Sequence, residues 1–201
     1  MFTGIIRQLG SLAAIEPLAG GGSRIAISVS ADWPIVELGE SVAINGVCST
    51  VIRQETGQFW VDYMPESLAK TTVGDWASGL EVHLELPATP NSMLGGHVVS
   101  GHVDTVGTIS AISREADFAR LQVQFSQEFA PYLIPKGSIT IDGMSLTVGE
   151  VTDTQFSVYL IPHTLTQTNL KTVEVGRRVN LEFDQVGKYL YRFFDLQIKK
   201  S

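Results

Sequence analysis

Short runs in which apolar and polar residues alternate recur along the chain: RIAISV (24–29), SVAI (41–44), FWVDY (59–63) and EVHLEL (81–86), then RLQVQF (120–125), SITI (138–141), FSVYL (156–160) and RVNLEF (178–183). Alternation of period two over so few residues marks a strand with one face in a core. Glycine or polar turns separate the runs. One helical candidate follows the third run of each set, PESLAKT (65–71) and PHTLTQT (162–168), with Pro65 and Pro162 where a first helical turn tolerates proline. Two sets of about six short strands with little helix predict an all-β protein with a small closed or nearly closed barrel in each half. An immunoglobulin-like sandwich is the alternative, but the chain lacks that family's cysteine pair and tryptophan spacing. From Gly187 the tail GKYLYRFFDLQIKKS holds good helix formers, with Leu190, Phe193, Phe194 and Ile198 on one face at helical spacing. That face either packs on its own barrel or joins subunits.

The two sets are copies. GVCSTV (46–51) and GMSLTV (143–148) lie 97 residues apart, and the same shift pairs Gly4 with Gly101, Gly10 with Gly107, Ser41 with Ser138, Phe59 with Phe156, Pro65 with Pro162, Thr71 with Thr168 and Leu84-Glu85 with Leu181-Glu182. Chance similarity would not hold one register over a whole half. Only the region around RIAISV and RLQVQF fits better at a shift of 96, as small cancelling loop insertions would produce. The repeats run over 1–88 and 98–186, joined by ATPNSMLGG. With that joint assigned to the first unit, the expected domains are 1–97, 98–186 and a tail of 187–201.

The composition fits a well-packed globular protein: 201 residues, 44% hydrophobic and 17% charged, with no low-complexity run. A net charge of −7 argues against general affinity for nucleic acid or anionic membrane and favours small-molecule or protein partners. No stretch approaches the roughly 20 apolar residues of a membrane-spanning helix. The lone Cys48 cannot form an intrachain disulfide, and MFTGIIRQLG resembles no leader, so the cytoplasm is the expected location.

Chemistry is sought where the copies differ: Cys48 faces Ser145, Asn45 faces Asp142, Ile5 faces His102, and Glu66 faces His163. Cys48 is either an inert buried thiol or a nucleophile or polar pocket group. His97 and His102 lie in GGHVVSGHVD; read as a strand, their spacing puts them on opposite faces, which argues against a shared metal. Each is either a core histidine with a backbone hydrogen bond or a catalytic group. Lys136, in IPKGSIT, is either solvated or functional. Glu85, Glu182 and Asp184 end strands, where carboxylates are most often solvated. Neither GxGxxG nor GxxxxGK[ST] is present, so no nucleotide fingerprint exists.

Taken together, MFTGII, GESVAINGVCSTV, MPESLAKTT, GGHVVSGHVD, PKGSITIDGMSLTV, LIPHTLTQTNL and GRRVNLEFDQVGKY resemble the α-chain type of riboflavin synthase over essentially the whole length. Seven motifs in order on a tandem repeat make the resemblance specific. It implies two tandem six-stranded Greek-key β-barrels, both lumazine-binding, plus a C-terminal α-helix that holds a homotrimer together. The implied reaction needs no cofactor: two molecules of 6,7-dimethyl-8-ribityllumazine exchange a four-carbon unit, giving riboflavin and 5-amino-6-ribitylamino-uracil at the last step of riboflavin biosynthesis. Lumazine synthase is a candidate further partner.

By motif, the resemblance implies a first pocket of Gly4, Ile5 and Ile6; Cys48, Ser49 and Thr50; Asp62, Tyr63, Met64, Pro65, Glu66 and Ser67; and Gly101, His102 and Val103. The second takes Lys136, Ser145, Leu146 and Thr147 with Tyr159, Leu160, Ile161, Pro162, His163 and Thr164, and the ligand contacts extend to Ser41, His97 and Asp184. Cys48, His102 and Ser145 are the expected catalytic residues: a base near His102 deprotonates the 7-methyl group of one lumazine while Cys48, Ser145 or water adds to the other. Two departures stand out, Ser49 where the family usually has leucine and His83 where it usually has asparagine. Ser49 is thereby expected to put a hydroxyl beside the first pocket. The rival reading is a lumazine- or flavin-binding antenna protein of the same fold. A flavin reductase domain would need a nicotinamide-binding βαβ unit that the chain lacks.

Overall fold

The eight alternating runs all become strands, and four further strands join them. In the computed structural model, which describes residues 1–198, the first half comprises β1 (Gln8–Pro17), β2 (Ser23–Ser28), β3 (Ser41–Ile44), β4 (Val47–Glu55), β5 (Gln58–Tyr63), α1 (Pro65–Lys70) and β6 (Glu81–Glu85). The second comprises β7 (Thr105–Glu115), β8 (Phe118–Gln124), β9 (Ser138–Ile141), β10 (Met144–Val151), β11 (Gln155–Leu160), α2 (Pro162–Gln167) and β12 (Arg178–Phe183), followed by α3 (Gln185–Ile198). Both halves close into six-stranded antiparallel barrels with one cyclic order, β1-β2-β5-β4-β3-β6 and β7-β8-β11-β10-β9-β12. Closure removes the free sheet edges that an open sheet of this size would expose.

The four strands absent from the alternating runs are β1, β4, β7 and β10, and each carries a register shift: Leu12/Ala14, Val51/Arg53, Ile109/Ala111 and Val148/Val151. A bulge inserts a residue and flips the parity of every side chain beyond it, so period two breaks. Each barrel fills its own core, around Ile25, Ile27 and Phe59 in the first and Val123, Phe156 and Phe183 in the second. Side chains buried this fully each contribute about 1.5–3 kcal/mol.

Two-residue turns at Asn45-Gly46 and Asp142-Gly143 close the β3–β4 and β9–β10 hairpins, with φ of 43° and 77° in the first and 45° and 83° in the second. Positive φ at both centres is the geometry of a type I′ turn, for which Asn-Gly and Asp-Gly are the favoured pairs. The two tips meet back to back. A Cβ on Gly46 would lie 2.5 Å from the Gly143 nitrogen, and one on Gly143 would lie 2.8 Å from the Gly46 nitrogen.

Flanking the tips, repeat-equivalent side chains cross between barrels. Asn180 donates from Nδ2 to the Asn45 carbonyl (2.9 Å) and accepts the Thr72 N–H at Oδ1 (2.8 Å). Its counterpart His83 donates from Nδ1 to the Asp142 carbonyl (2.8 Å) and accepts the Asn169 N–H at Nε2 (3.1 Å). A carbonyl only accepts and a peptide N–H only donates, so this imidazole is neutral with its proton on Nδ1. Burial, aided by the charge of Arg177, pushes His83 down to about 4 despite the Asp142 hydrogen bond. Asp142 accepts from Asn180 N (2.7 Å) and Arg177 Nη2 (3.1 Å), and its burial raises the carboxyl to about 6 against the opposing pull of Arg177.

The tail helix begins two residues before the expected start at Gly187, and residues 199–201 of the expected tail lie outside the described residues. Tyr191 meets Tyr132 edge-on at 5.3 Å and Lys188 Nζ pairs with Asp104 (2.8 Å), which anchors the helix's first half. The predicted apolar face does not pack on its own barrel: Phe193, Phe194 and Ile198 are 58%, 60% and 74% exposed. No described helix is long and apolar enough to cross a membrane.

Candidate functional site

The segments that precede the barrels, 1–7 and 97–104, carry the histidines and glycines of the motifs. Neither is a strand of a barrel; one isolated bridge, Phe2 to Val99, joins them. The strand expected around His97 and His102 is therefore an extended leader, and strand parity does not govern where those side chains point.

Each leader begins on its own barrel, through Phe2 in the first and His97 in the second, is tied to that barrel's end, and from Gly4 or Gly101 onward crosses to the other. Glu85, at the end of β6, accepts Thr3 N and Oγ1 at Oε1 (both 2.7 Å) and Gly4 N at Oε2 (3.0 Å). Glu182, at the matching position of β12, accepts Ser100 N (2.7 Å) and Oγ (2.6 Å) at Oε1 and Gly101 N (2.9 Å) at Oε2. These carboxylates are buried, contrary to the solvated rim expected of strand-end acids. Burial raises the Glu85 carboxyl above its usual range while the leader's hydrogen bonds oppose the rise. The leaders then cross: Gly4 O accepts the Ser145 N–H of the second barrel (2.8 Å), and Gly101 O accepts the Cys48 N–H of the first (2.7 Å). Both glycines have φ between 75° and 79°, and a Cβ there would lie 2.6 Å from Ser145 Cβ or 2.7 Å from Cys48 Cβ. Only glycine combines that dihedral with that approach.

The crossing corrects the pocket membership expected for the first leader. Gly4, Ile5 and Ile6 belong with Ser145, not with Cys48. Together with Leu146, His163 and Thr164 they line a groove of about 100 Å³. Ile6 packs on the second core and Val103 on the first, as the same exchange requires. A larger cavity of about 470 Å³, between the leader, the connecting segment and Trp33, contains neither Cys48 nor Ser145.

Around Cys48 the surroundings are apolar. The thiol packs with Phe2, Ala43 and Val99, and His102, exposed beyond Gly101, has no hydrogen bond to it among the described residues. Ser49 is the second correction. It points into the barrel, where its hydroxyl donates to the Val47 carbonyl (2.9 Å) and pairs with the buried Tyr63 hydroxyl. Burial holds the Tyr63 phenol well above its ordinary range, as a neutral donor. The second barrel has Leu146 and Leu160 at the equivalent places. Thr50 is exposed opposite the half-buried Ser41, Asp62 chelates Arg24 (2.8 and 2.9 Å), and Glu66 pairs along α1 with Lys70 (2.8 Å) below the exposed Met64 and Pro65 and the half-buried Ser67.

Around Ser145 the surroundings are polar. Its hydroxyl lies 2.7 Å from His97 Nδ1, and His97 Nε2 lies 3.2 Å from Thr140 Oγ1. Burial lowers the pKa of His97, while the charges of Asp184 and Glu182 oppose the shift. Asp184 also accepts the Val186 N–H (2.9 Å) at the start of α3. Several expected contacts lie apart from this groove. Tyr159 donates to Glu150 (2.9 Å) and, with Ile161, borders a separate apolar hollow of about 230 Å³; Leu160 is in the core. Thr147 is exposed beyond Leu146, Pro162 starts α2, and Lys136 is exposed beyond the Ser138 end of the β9–β10 ladder. Among the described residues no cluster of three or more His, Cys, Asp or Glu could hold a metal.

Sequence reasoning missed Thr140, Glu85 and Glu182 as parts of the site. The repeat held the signal for all three: two acids conserved between the copies, and a threonine where the first copy has Ala43.

The profile of the family described as Lumazine binding domain matches residues 3–87 and 100–184, one copy for each barrel. Among solved structures, LumP complexed with 6,7-dimethyl-8-(1'-D-ribityl) lumazine superposes with a TM-score of 0.82 at 25% identity, covering 92% of this chain and 99% of that one. LumP complexed with riboflavin gives 0.84 at 26% identity, covering 92% and 100%. The riboflavin synthase of Actinobacillus pleuropneumoniae is 42% identical over 193 residues, which is 96% of this chain and 89% of the relative. That of Bacillus subtilis (strain 168) is 39% identical with the same coverage. Leaders that cross between two matched barrels, two matched family domains, and identity near 40% along almost the whole length lead to one conclusion: the chain belongs to the riboflavin synthase family.

Proposed function

We propose that the chain is a riboflavin synthase, a transferase that moves a four-carbon unit between two molecules of 6,7-dimethyl-8-ribityllumazine to give riboflavin and 5-amino-6-ribitylamino-uracil. One observation carries this reading: repeat-equivalent positions beneath crossing leaders with unlike chemistry in the two copies, Cys48 among apolar neighbours and Ser145 bonded to His97. A reaction between two identical molecules in different roles requires two similar seats with different demands. Holding the reactants face to face supplies on the order of 7–11 kcal/mol of the barrier reduction.

In this proposal His102, exposed beside Gly101, takes the proton of the acidic 7-methyl group in the first groove. The Ser145–His97 pair exchanges a proton with the molecule in the second as a nucleophile adds to it. Attack of the resulting carbanion then forms a covalent dimer that fragments to the two products. A groove of about 100 Å³ is small beside the roughly 300–1,000 Å³ of a complete ligand site, which supports completion by a neighbouring subunit. The uncovered apolar face of α3 supports a homotrimer with sites between the first barrel of one subunit and the second of the next. In the same proposal the enzyme works in the cytoplasm, where lumazine synthase supplies its substrate.

The antenna reading rests on the LumP structures, at 25% and 26% identity. The Ser145–His97 pair favours catalysis, because a purely optical role has no use for a proton-exchanging unit. Purified protein incubated with the lumazine alone should form one riboflavin per two substrates. Tight binding without turnover would make it an antenna. Ser145→Ala and His102→Ala should each lower kcat by about 10²-fold, and Cys48→Ala by less; unchanged turnover in all three would overturn the assignments.

A further inference from the structure

The imidazole of His97 is clasped between hydroxyls on two adjacent strands. Ser145 on β10 and Thr140 on β9 are direct cross-strand partners, so their side chains leave the same face of the sheet. His97 reaches Ser145 Oγ through Nδ1 (2.7 Å) and Thr140 Oγ1 through Nε2 (3.2 Å). Two proton arrangements satisfy these contacts. Nε2–H could donate to Thr140 while Nδ1 accepts from Ser145, or Thr140 could donate to Nε2 while Nδ1–H donates to Ser145.

Thr140 decides between them. It is only 1% exposed, and among the described residues His97 Nε2 is the sole hydrogen-bond partner of its hydroxyl. If Nε2 carried the proton, the threonine hydroxyl would accept from it and leave its own O–H buried without an acceptor, an arrangement that buried polar groups avoid. If threonine donates, every proton has a destination: Thr140 to Nε2, Nδ1–H to Ser145 Oγ, and Ser145 O–H outward into the groove. Burial lowers the pKa of the ring and so favours the neutral form that the arrangement requires, although Asp184 and Glu182 pull the other way.

We infer that Thr140 is a positioning residue for the second groove: it holds His97 in the Nδ1–H tautomer, so that Ser145 presents its hydroxyl proton to the bound ligand as a donor rather than being deprotonated as a nucleophile. The matching acceptor is a carbonyl oxygen or ring nitrogen of the heterocycle, on which negative charge grows as a nucleophile adds. The first barrel lacks the device, since Ala43 stands at the Thr140 position and, among the described residues, Cys48 packs with Phe2, Ala43 and Val99 and no imidazole is hydrogen-bonded to it. The inference about the ligand rests on the function proposed above; the tautomer does not.

The test uses the full-length protein labelled with ¹⁵N-histidine. Long-range ¹H–¹⁵N spectra of the ligand-free protein should report His97 protonated at Nδ1 in the parent and in Thr140→Ser. In the isosteric Thr140→Val, Nε2 has lost its donor and the proton should move to Nε2 or distribute between both nitrogens. Turnover measured in parallel should fall about tenfold in kcat with little change in KM for Thr140→Val and recover in Thr140→Ser. Melting curves confirm that the variants fold. An Nε2–H signal in the parent, or an unchanged tautomer and kcat in Thr140→Val, would overturn the inference. A parent that shows Nδ1–H but makes no riboflavin would instead sink the proposed function and leave the role of Thr140 standing.

Discussion

The two barrels share strand order, turn geometry and leader, yet solve the same two local problems with different chemistry. Beneath its leader the first barrel packs Cys48 with Ala43, Phe2 and Val99, while the second places Ser145 and Thr140 around His97. At the junction, Asn180 makes one crossing with a neutral amide, whereas His83 makes the equivalent one with a titratable ring beside the ionisable Asp142. Duplication preserved the hydrogen-bond geometry and left the groups that satisfy it free to change. The shared geometry can be broken, and the differences between the copies sharpened, by substitutions at both.

The largest effect is expected where the copies touch. Gly46→Ala forces a Cβ to within 2.5 Å of the Gly143 backbone at a φ of 77°. The loss should exceed about 3 kcal/mol, since neither left-handed strain nor a backbone clash can be relieved locally; denaturant midpoints measure it, and a loss below about 1 kcal/mol would mean the tips are not locked together.

Next comes the His83 crossing. Its pKa is depressed from 6.5 when unfolded to about 4 when folded, so the unfolded chain binds more protons between those values. Its contribution is therefore intact above pH 6.5 and is lost as pH falls towards 4, by about 3 kcal/mol at 1.36 kcal/mol per unit. Asp142, raised to about 6 from 3.8, has the opposite slope over nearly the same window, so the parent's own profile partly cancels. The informative quantity is the difference from His83→Asn, which copies Asn180. The variant should gain on the parent steadily as pH drops from 6.5 to 4; a constant difference would show that His83 does not titrate in the folded state.

The smallest expected effect concerns the barrel interior. Ser49→Leu strands the Tyr63 hydroxyl, and Tyr63→Leu leaves Ser49 only its Val47 carbonyl, whereas the double variant reproduces the Leu146 and Leu160 arrangement of the second barrel. A double-mutant cycle should return a coupling of about 1 kcal/mol in favour of the matched pairs; additivity would deny the link.

Much of this was legible beforehand, and what was not has identifiable causes. Unbulged strands announced themselves by alternation; bulged β1, β4, β7 and β10 did not. The orientation of Ser49 is in principle readable, because Val47, Ser49 and Val51 share a parity, but a serine among core positions conceals the alternation that would mark the strand. The repeat pointed to Cys48, Ser145 and His102, and would have pointed equally to Thr140 against Ala43.

The sequence by itself determined the duplicated barrel architecture, the family and the residue types available for chemistry, because periodicity and repetition are properties of neighbouring or register-related positions. Only the tertiary structure decided that each leader crosses to the opposite barrel at Gly4 or Gly101, that Glu85 and Glu182 are buried tethers, and that His97 joins Ser145 to Thr140. Those links are hydrogen bonds between segments dozens of residues apart. They carry no period, and they take effect only after both barrels have closed and brought their strand ends together.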